Sequence, residues 1–323
     1  MKIYIIFLFL FLYCINVLKA DTFEKDTSYT TYQTWVKMQK KYPDIKIVNP
    51  IQDKNLSGIE DLIYKTVFDE KGDKRDLHLD IFRPARKGKL PALIMIHGGG
   101  WRSGNKSMEK PMAQQIALQG FVTIALEYRL SLEARYPAAI HDIKAGIRWI
   151  KENAEKYGID TARIAIEGES AGGQLAMLVA MTNNLKQFEG DKAGSTYSST
   201  VQAAIDVDGV VDFLAPNSLN TPQKPDSPGA YWLGGVFEEK PLMWKEASSI
   251  YWVGKNSVPV LFICSSVPRF HAGRDEMIDL LNQNGIYSES HTITNSPHSF
   301  WLFEPWFTPT KGYILSFLEK ILK

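Results

Sequence analysis

The sequence predicts an α/β fold with a mainly parallel central sheet and helices on both faces. Short apolar runs alternate with helix-like stretches along its 323 residues, and no internal repeat is visible. Such runs are typical of strands buried on both faces, and helical crossovers between them make the strands parallel. The predicted strands are residues 90–97, 121–128, 163–168, 201–208 and 258–264.

The remaining elements follow from periodicity and from composition. Helices are predicted around Gln114 and over residues 140–155, 171–181 and 275–284, and edge strands over 62–68 and 76–82. Residues 214–253 then interrupt the alternation with prolines, glycines and six aromatic side chains. This segment is too short to bury a core of its own, so we predict a small insertion over the sheet, after its sixth strand.

The N-terminus has the layout of a secretory signal. Lys2 precedes an apolar run, and a small residue stands at Ala20. We therefore predict a signal peptide over residues 1–20, an N-terminal extension over 21–58, and one large domain over 59–323 that is secreted or periplasmic. A retained membrane anchor is the alternative, but the run is short for a bilayer. After cleavage only Cys264 remains, which excludes an internal disulfide.

Charge and composition limit the classes of ligand that we expect the protein to bind. The 37 basic residues nearly cancel the 36 acidic ones, and 45% of the residues are hydrophobic. These proportions argue against a disordered chain, and they lack the basic excess that nucleic acid requires. We expect a neutral or polymeric ligand that is bound by shape and hydrogen bonds.

One serine stands where a strand meets a helix. The predicted strand 163–168 leads directly into Gly168-Glu169-Ser170-Ala171-Gly172-Gly173, which then enters a predicted helix. This strand, turn and helix context is that of a nucleophile elbow, in which flanking glycines leave room for a strained turn. A chance G-x-S-x-G match is the alternative, and the context disfavours it.

A glycine run follows the predicted strand 90–97. It reads His97-Gly98-Gly99-Gly100-Trp101 and lies about seventy residues before the serine. We predict that the N–H groups of Gly99, Gly100 and Ala171 form an oxyanion hole. The run lacks the residues of a phosphate-binding loop or a dinucleotide site, and no cluster has metal-ligand spacing, so no cofactor or metal is expected. His97 itself is predicted to be structural.

Six histidines are candidates for the base that a serine nucleophile needs. His298 follows the last strand and lies 128 residues after Ser170, and both its chain order and its position select it. The sequence does not decide which acidic residue pairs with His298, because the loop after strand 258–264 contains no carboxylate. We favour Asp208, at the tip of the preceding strand, over Asp275, and Asp212 or no acid at all remain alternatives.

These residues resemble the α/β-hydrolase superfamily and, within it, the BD-FAE-type carbohydrate esterases with an HGGGW loop. The resemblance covers about residues 62–322, including Glu-Tyr-Arg-Leu-Ser at 127–131. Residues 268–275 are similar to a subgroup of pectin-degrading esterases of gut Bacteroidetes. Since the acid that the wider family carries after the seventh strand is missing here, the family's roles transfer to Ser170 and His298 only.

The resemblance implies a secreted serine esterase that cleaves methyl or acetyl esters on plant cell-wall pectin through an acyl-enzyme. We expect Arg269 and His271 to contact acidic sugars, and Trp101 and Trp301 to provide apolar walls for a sugar ring. A structural alternative is that Arg269 pairs with Asp208. Other functions left open are an acetylxylan or feruloyl esterase, a serine peptidase, and a catalytically silent carbohydrate-binding protein.

Overall fold

The computed structural model describes residues 26–68, 72–192, 194–219 and 224–323. The predicted signal peptide and the expected mature terminus at Asp21 lie outside the described residues. Within the described ranges, no helix combines the length and the apolar character that crossing a membrane requires.

Eight strands form the central sheet, in the order β2-β3-β5-β4-β6-β7-β8-β9. From β5 to β9 every neighbouring pair is parallel, whereas β2 and β3 run antiparallel at one edge. The strands are β1 (Lys46–Ile47), β2 (Leu56–Phe68), β3 (Lys74–Pro84), β4 (Leu90–Ile96), β5 (Val122–Leu126), β6 (Ile159–Glu169), β7 (Ala203–Val207), β8 (Val260–Cys264), β9 (Ser288–Thr292) and β10 (Phe303–Glu304). The predicted fold class is confirmed.

Helices cover both faces of this sheet. They are α1 (Thr31–Met38), α2 (Lys110–Ala117), α3 (Ala138–Glu152), α4 (Ala154–Tyr157), α5 (Ala171–Met181), α6 (Pro216–Leu219), α7 (Pro228–Leu233), α8 (Pro241–Glu246), α9 (Arg274–Gln283) and α10 (Phe307–Leu322). Helix α5 has the bounds that the sequence predicts. The single helix predicted over 140–155 is two, since a turn at Asn153 separates α3 from α4.

Two apolar cores lie on opposite faces of the sheet because side chains alternate along each strand. In β4, Ile94 and Ile96 join the core that contains α3 and α5. Leu93 and Met95 of the same strand join the core under α2 and α10. All seven residues of β4 are buried, as expected for a central parallel strand.

The N-terminal segment packs onto the main domain. Strand β1 pairs with β10, and Trp35 and Tyr42 pack against the core under α10. The boundary predicted at residue 58 needs correction, because β2 already begins at Leu56, which pairs with Pro84. The segment 214–253 carries α6 to α8 and buries Trp232 and Trp244 against the larger core.

Candidate active site

Ser170 occupies a strained turn between β6 and α5, with a φ of +54°. The glycines around it are required by close backbone approach. A Cβ on Gly172 would lie 1.9 Å from the Ile96 carbonyl oxygen, and one on Gly168 would lie 2.2 Å from the Gly172 carbonyl oxygen. The turn therefore presents the serine side chain at the carboxyl end of the sheet, as the sequence motif predicts.

His298 joins Ser170 to Asp208. Its Nε2 lies 2.8 Å from Ser170 Oγ, and its Nδ1 lies 2.6 Å from Asp208 Oδ2. Phe270 stacks on the imidazole, with ring centres 3.5 Å apart, and Trp301 meets it edge-on at 5.2 Å. Two hydrogen bonds and two aromatic contacts thus fix the ring in a nucleophile–base–acid geometry.

Of the candidate acids, Asp208 is the one that the structure places beside His298. It stands directly after β7 with a φ of +58°, and its second carboxylate oxygen accepts the N–H of Ser265 at 2.7 Å. The Asp275 side chain is 76% exposed and pairs with Arg274. Asp212 instead accepts the N–H of Leu214.

The glycine run lies against the same turn. Gly100 and Ala171 line a cavity together with Ser170. Gly99 does not line it, and its carbonyl holds the turn by accepting N–H groups from Arg102 and Ser103. Across the described part of the chain, the N–H groups of Gly99 and Gly100 have no acceptor. Free backbone donors next to a helix N-terminus suit a developing oxyanion.

The cavity beside Ser170 has a volume of about 320 Å³ and four aromatic side chains in its lining. Trp101 is one wall, held by stacking on Trp232 at 4.9 Å and by an Nε1–H bond to Gln174 Oε1 of 2.9 Å. Phe213 and Trp244, which sequence reasoning did not single out as site residues, complete this side. The many aromatic residues of the segment 214–253, which Phe213 directly precedes, could have indicated an aromatic wall at the site. We call this space the aromatic cavity.

Arg269 lies exposed at the rim of the aromatic cavity, with its guanidinium 4.7 Å from the centre of the Phe270 ring. Among the residues that the structure describes, no carboxylate pairs with it. The alternative pairing with Asp208 is therefore not observed, and the charge is available to a ligand.

Two predicted substrate contacts need correction. Trp301 is only 4% exposed and packs behind His298 in the core, so it forms no wall of the aromatic cavity. The His271 Nε2–H donates to the Ser265 carbonyl at 2.9 Å, and this nitrogen lies 3.8 Å from Asp208. Burial lowers the pKa of His271, which keeps the ring neutral. His271, on the loop after β8, thus lies beside Asp208, and Trp301, which follows β9, contacts the His298 ring.

His97 has the structural role that its position predicts. It is buried, its Nδ1 bonds the Gly98 carbonyl at 2.8 Å, and its ring stacks on Tyr128. Burial lowers the pKa of His97 to about 4. The buried Cys264 is a free thiol whose pKa burial raises to about 12.

Sequence reasoning missed a group of buried carboxyls next to Ser170. Oxygen atoms of Glu109, Glu167 and Glu169 lie within 4.8 Å of one another. Burial raises the pKa of Glu109 to about 7 and raises those of Glu167 and Glu169 well above the ordinary range. Burial thus favours the protonated form of these carboxyls, although three oxygens at this spacing could also hold a metal ion. Two glutamates inside the apolar strand β6 were the available signal.

A mostly parallel sheet with a serine on a strand-to-helix turn and a histidine after the last strand defines an α/β-hydrolase. The family model of BD-FAE matches residues 79–281, which is more than half of the chain. The chain therefore belongs to the BD-FAE family.

Similar proteins carry esterase names. The "Probable carboxylic ester hydrolase LipM" of Mycobacterium tuberculosis is 39% identical over 228 residues, 68% of this chain and 50% of LipM. A solved structure described as a truncated carbohydrate esterase from gut microbiota has a TM-score of 0.72 and 26% identity, covering 84% of this chain and 99% of that one. A bifunctional GH43-CE protein of Bacteroides eggerthii has 27% identity and a TM-score of 0.69, over 82% and 38% of the two chains. This chain spans about half the length of the curated relatives it matches.

Proposed function

We propose that the protein is a carboxylic ester hydrolase that removes acyl or methyl groups from plant cell-wall polysaccharide, with pectin as the preferred substrate. The observation that carries this proposal is the hydrogen-bonded series Ser170–His298–Asp208 at the edge of the aromatic cavity. The esterase and carbohydrate esterase names of its relatives support it.

The proposed reaction proceeds through an acyl-enzyme. His298 Nε2 takes the Ser170 hydroxyl proton as Oγ bonds to the ester carbonyl carbon, and the carbonyl oxygen becomes an oxyanion beside the Gly100 and Ala171 N–H groups. The carbon–oxygen bond to the alcohol then breaks, and the alcohol oxygen takes the proton from His298. Water, deprotonated by His298, releases the acid and restores Ser170. Asp208 stabilises the imidazolium formed in each half.

Two features support an acidic polysaccharide in particular. The guanidinium of Arg269 is exposed at the rim and unpaired within the described chain, and it matches a uronate carboxylate by charge-assisted hydrogen bonds. Trp101 offers an apolar face on which a sugar ring can stack.

A release assay on esterified polysaccharides tests this function. Methanol, acetate and ferulate are measured in parallel from pectin and from acetylated and feruloylated xylan, with Ser170→Ala protein as the blank. We expect methanol or acetate from pectin. Acetate or ferulate from xylan, with nothing from pectin, would instead identify an acetylxylan or feruloyl esterase.

We also propose that the protein is secreted or periplasmic after removal of residues 1–20. The support is the sequence pattern of the first twenty residues. Mass spectrometry of exported protein tests it. A mature terminus near Asp21 agrees with the proposal, whereas a lipid-modified Cys14 would contradict it.

A further inference from the structure

We propose that a second groove beside His298 binds the alcohol part of the ester, and that this alcohol is an acidic glycan chain. The groove measures about 520 Å³. Its lining comprises Lys37, Met38, Lys41, Tyr42 and residues 266–267 and 295–298. We call it the lysine groove. The inference rests on the proposed ester hydrolysis and specifies which part of the substrate carries the negative charge.

The lysine groove is cationic and has an aromatic side chain. Lys37 and Lys41 are exposed, and no carboxylate in the described ranges pairs with either. None of the lining residues is acidic. The Lys41 ammonium lies 5.2 Å from the centre of the Tyr42 ring, and Trp306 holds that ring edge-on at 5.1 Å. Two free ammonium groups beside an anchored aromatic ring complement a sugar chain that bears carboxylates.

Ser170 lines the aromatic cavity, and His298, whose Nε2 lies 2.8 Å from Ser170 Oγ, lines the lysine groove. Arg269 and Phe270 line the aromatic cavity, whereas Ser266 and Val267, at the start of the same loop, line the lysine groove. His298 belongs to the lysine groove. An ester held at Ser170 therefore has one space on the nucleophile's side and another on the base's side.

The chemistry assigns one part of the ester to each space. The carbonyl carbon bonds Ser170 Oγ and its oxygen meets the oxyanion donors, so the acyl group lies in the aromatic cavity, which Ser170, Gly100 and Ala171 line. The departing alcohol oxygen must take a proton from His298 Nε2, so the alcohol lies next to His298, in the lysine groove.

This assignment separates two kinds of ester. In an acyl ester of a sugar hydroxyl, the glycan is the alcohol. Its esterified sugar lies in the lysine groove, and only sugars further along the chain contact Arg269 and Trp101 at the aromatic cavity. In a uronate methyl ester, the glycan is the acyl part and the alcohol is methanol, which needs no cationic groove. The positive charge of Lys37 and Lys41 therefore favours O-acylated, uronate-containing chains.

Charge reversal tests the groove. The double variant Lys37→Glu/Lys41→Glu is compared with Lys40→Glu, which changes an exposed lysine that does not line the groove. We expect kcat/KM on O-acetylated oligogalacturonide to fall about tenfold in the double variant, mainly through KM, and we expect about 0.5 M salt to remove most of the difference. The loss on neutral p-nitrophenyl acetate should be several times smaller. Lys40→Glu should match the unmodified protein.

A binding measurement tests the lysine groove independently of the proposed ester hydrolysis. Unesterified oligogalacturonate is titrated into Ser170→Ala protein with and without the lysine substitutions, and thermal unfolding confirms that each variant is folded. A Kd that rises about tenfold supports the groove even if no ester is cleaved. An unchanged Kd overturns it, even if the protein is an active esterase. Equal losses on acetylated and methyl-esterified substrates would overturn the assignment of the alcohol.

Discussion

Two sets of buried carboxyls lie next to the turn that carries Ser170, and they differ in what surrounds them. Asp208 is 1% exposed and accepts hydrogen bonds from His298 and from the Ser265 N–H. Glu167 and Glu169 are equally buried but face one another and Glu109, with no cation paired to them in the described chain. Equally buried carboxyl groups next to Ser170 therefore differ in their hydrogen-bond partners.

This difference matters for the proposed reaction. A charged Glu169 directly before Ser170 would oppose the negative charge that develops on the carbonyl oxygen. The raised pKa values of the glutamates keep that neighbourhood neutral. Asp208 meanwhile accepts a hydrogen bond from the imidazole that becomes positive. Ser170 thus has the His298–Asp208 pair on one side and, on the other, carboxyls whose protonated form burial favours.

The largest effect is expected at the nucleophile that both sets adjoin. Ser170→Ala should lower turnover of an aryl acetate by about a millionfold, the scale seen when a serine nucleophile is removed. The variant should still fold, because removing a hydroxyl that lines the cavity leaves no void in the core. Steady-state kinetics on protein free of unmodified enzyme measures it. Retention of a few per cent of activity would exclude Ser170.

Asp208 should be next in magnitude. Asp208→Asn should lower kcat by about ten-thousandfold, since the amide favours the wrong tautomer of His298 and cannot support the imidazolium. Asp275→Asn is the matched control, because that side chain is 76% exposed and pairs with Arg274, away from His298. Its kcat should stay within about twofold of the unmodified value. A reversal of the two effects would place the acid at Asp275.

The raised pKa of Glu109 should be visible in how the free energy of unfolding depends on pH. The pKa of folded Glu109 is about 7 against an ordinary 4.5, so the folded state holds a proton that the unfolded state has lost. That stabilisation is complete below the ordinary pKa and disappears as the pH rises through about 7. Glu109→Gln carries no such proton. Between about pH 5 and pH 8, it should therefore lose about 2 to 3 kcal/mol less free energy of unfolding than the unmodified protein.

Urea unfolding at the two pH values measures this difference. Glu152→Gln is the control, since Glu152 is exposed on α3 and should leave the pH dependence unchanged. If the Glu109→Gln and unmodified curves ran parallel, folding would not raise the pKa of Glu109, and Glu109 would be charged in the folded protein at neutral pH.

The smallest effect is expected at Arg269, which we propose binds a carboxylate of the substrate. Arg269→Ala should weaken catalysis on esterified oligogalacturonide by about 1 to 3 kcal/mol, the scale of a charged hydrogen bond, and change little on a neutral aryl acetate. Arg86→Ala, at an exposed position outside the aromatic cavity, is the control. Equal losses on both substrates would show that Arg269 supports Phe270 and His298 instead of the sugar.

The sequence was most informative where strands end. Parallel strands bring their carboxyl ends to one edge, so Ser170, Gly100, Asp208 and His298 could be grouped before their distances were known. The choice between Asp208 and Asp275 stayed open, because it depends on how the loop after β8 bends. The ring of Phe270 on His298 was not predicted for the same reason.

Side-chain direction was the second limit. Trp301 is close to His298 in sequence, and the prediction that it contacts substrate was wrong because its ring points into the core. The glutamates were also missed. Glu167 and Glu169 lie in β6 and come close to Glu109, which precedes α2. Glu109 and Glu167 are nearly sixty residues apart along the chain. Contacts of that range depend on packing, which local patterns do not encode.

Covalent trapping tests the central claim, that Ser170 is a nucleophile activated by His298, most directly. A p-nitrophenyl phosphonate ester is incubated with the protein, and intact mass and peptide mapping locate the adduct. We predict one adduct per chain on Ser170, formed much more slowly in His298→Ala and absent in Ser170→Ala. An unlabelled protein, or an adduct on another residue that persists in Ser170→Ala, would contradict the account.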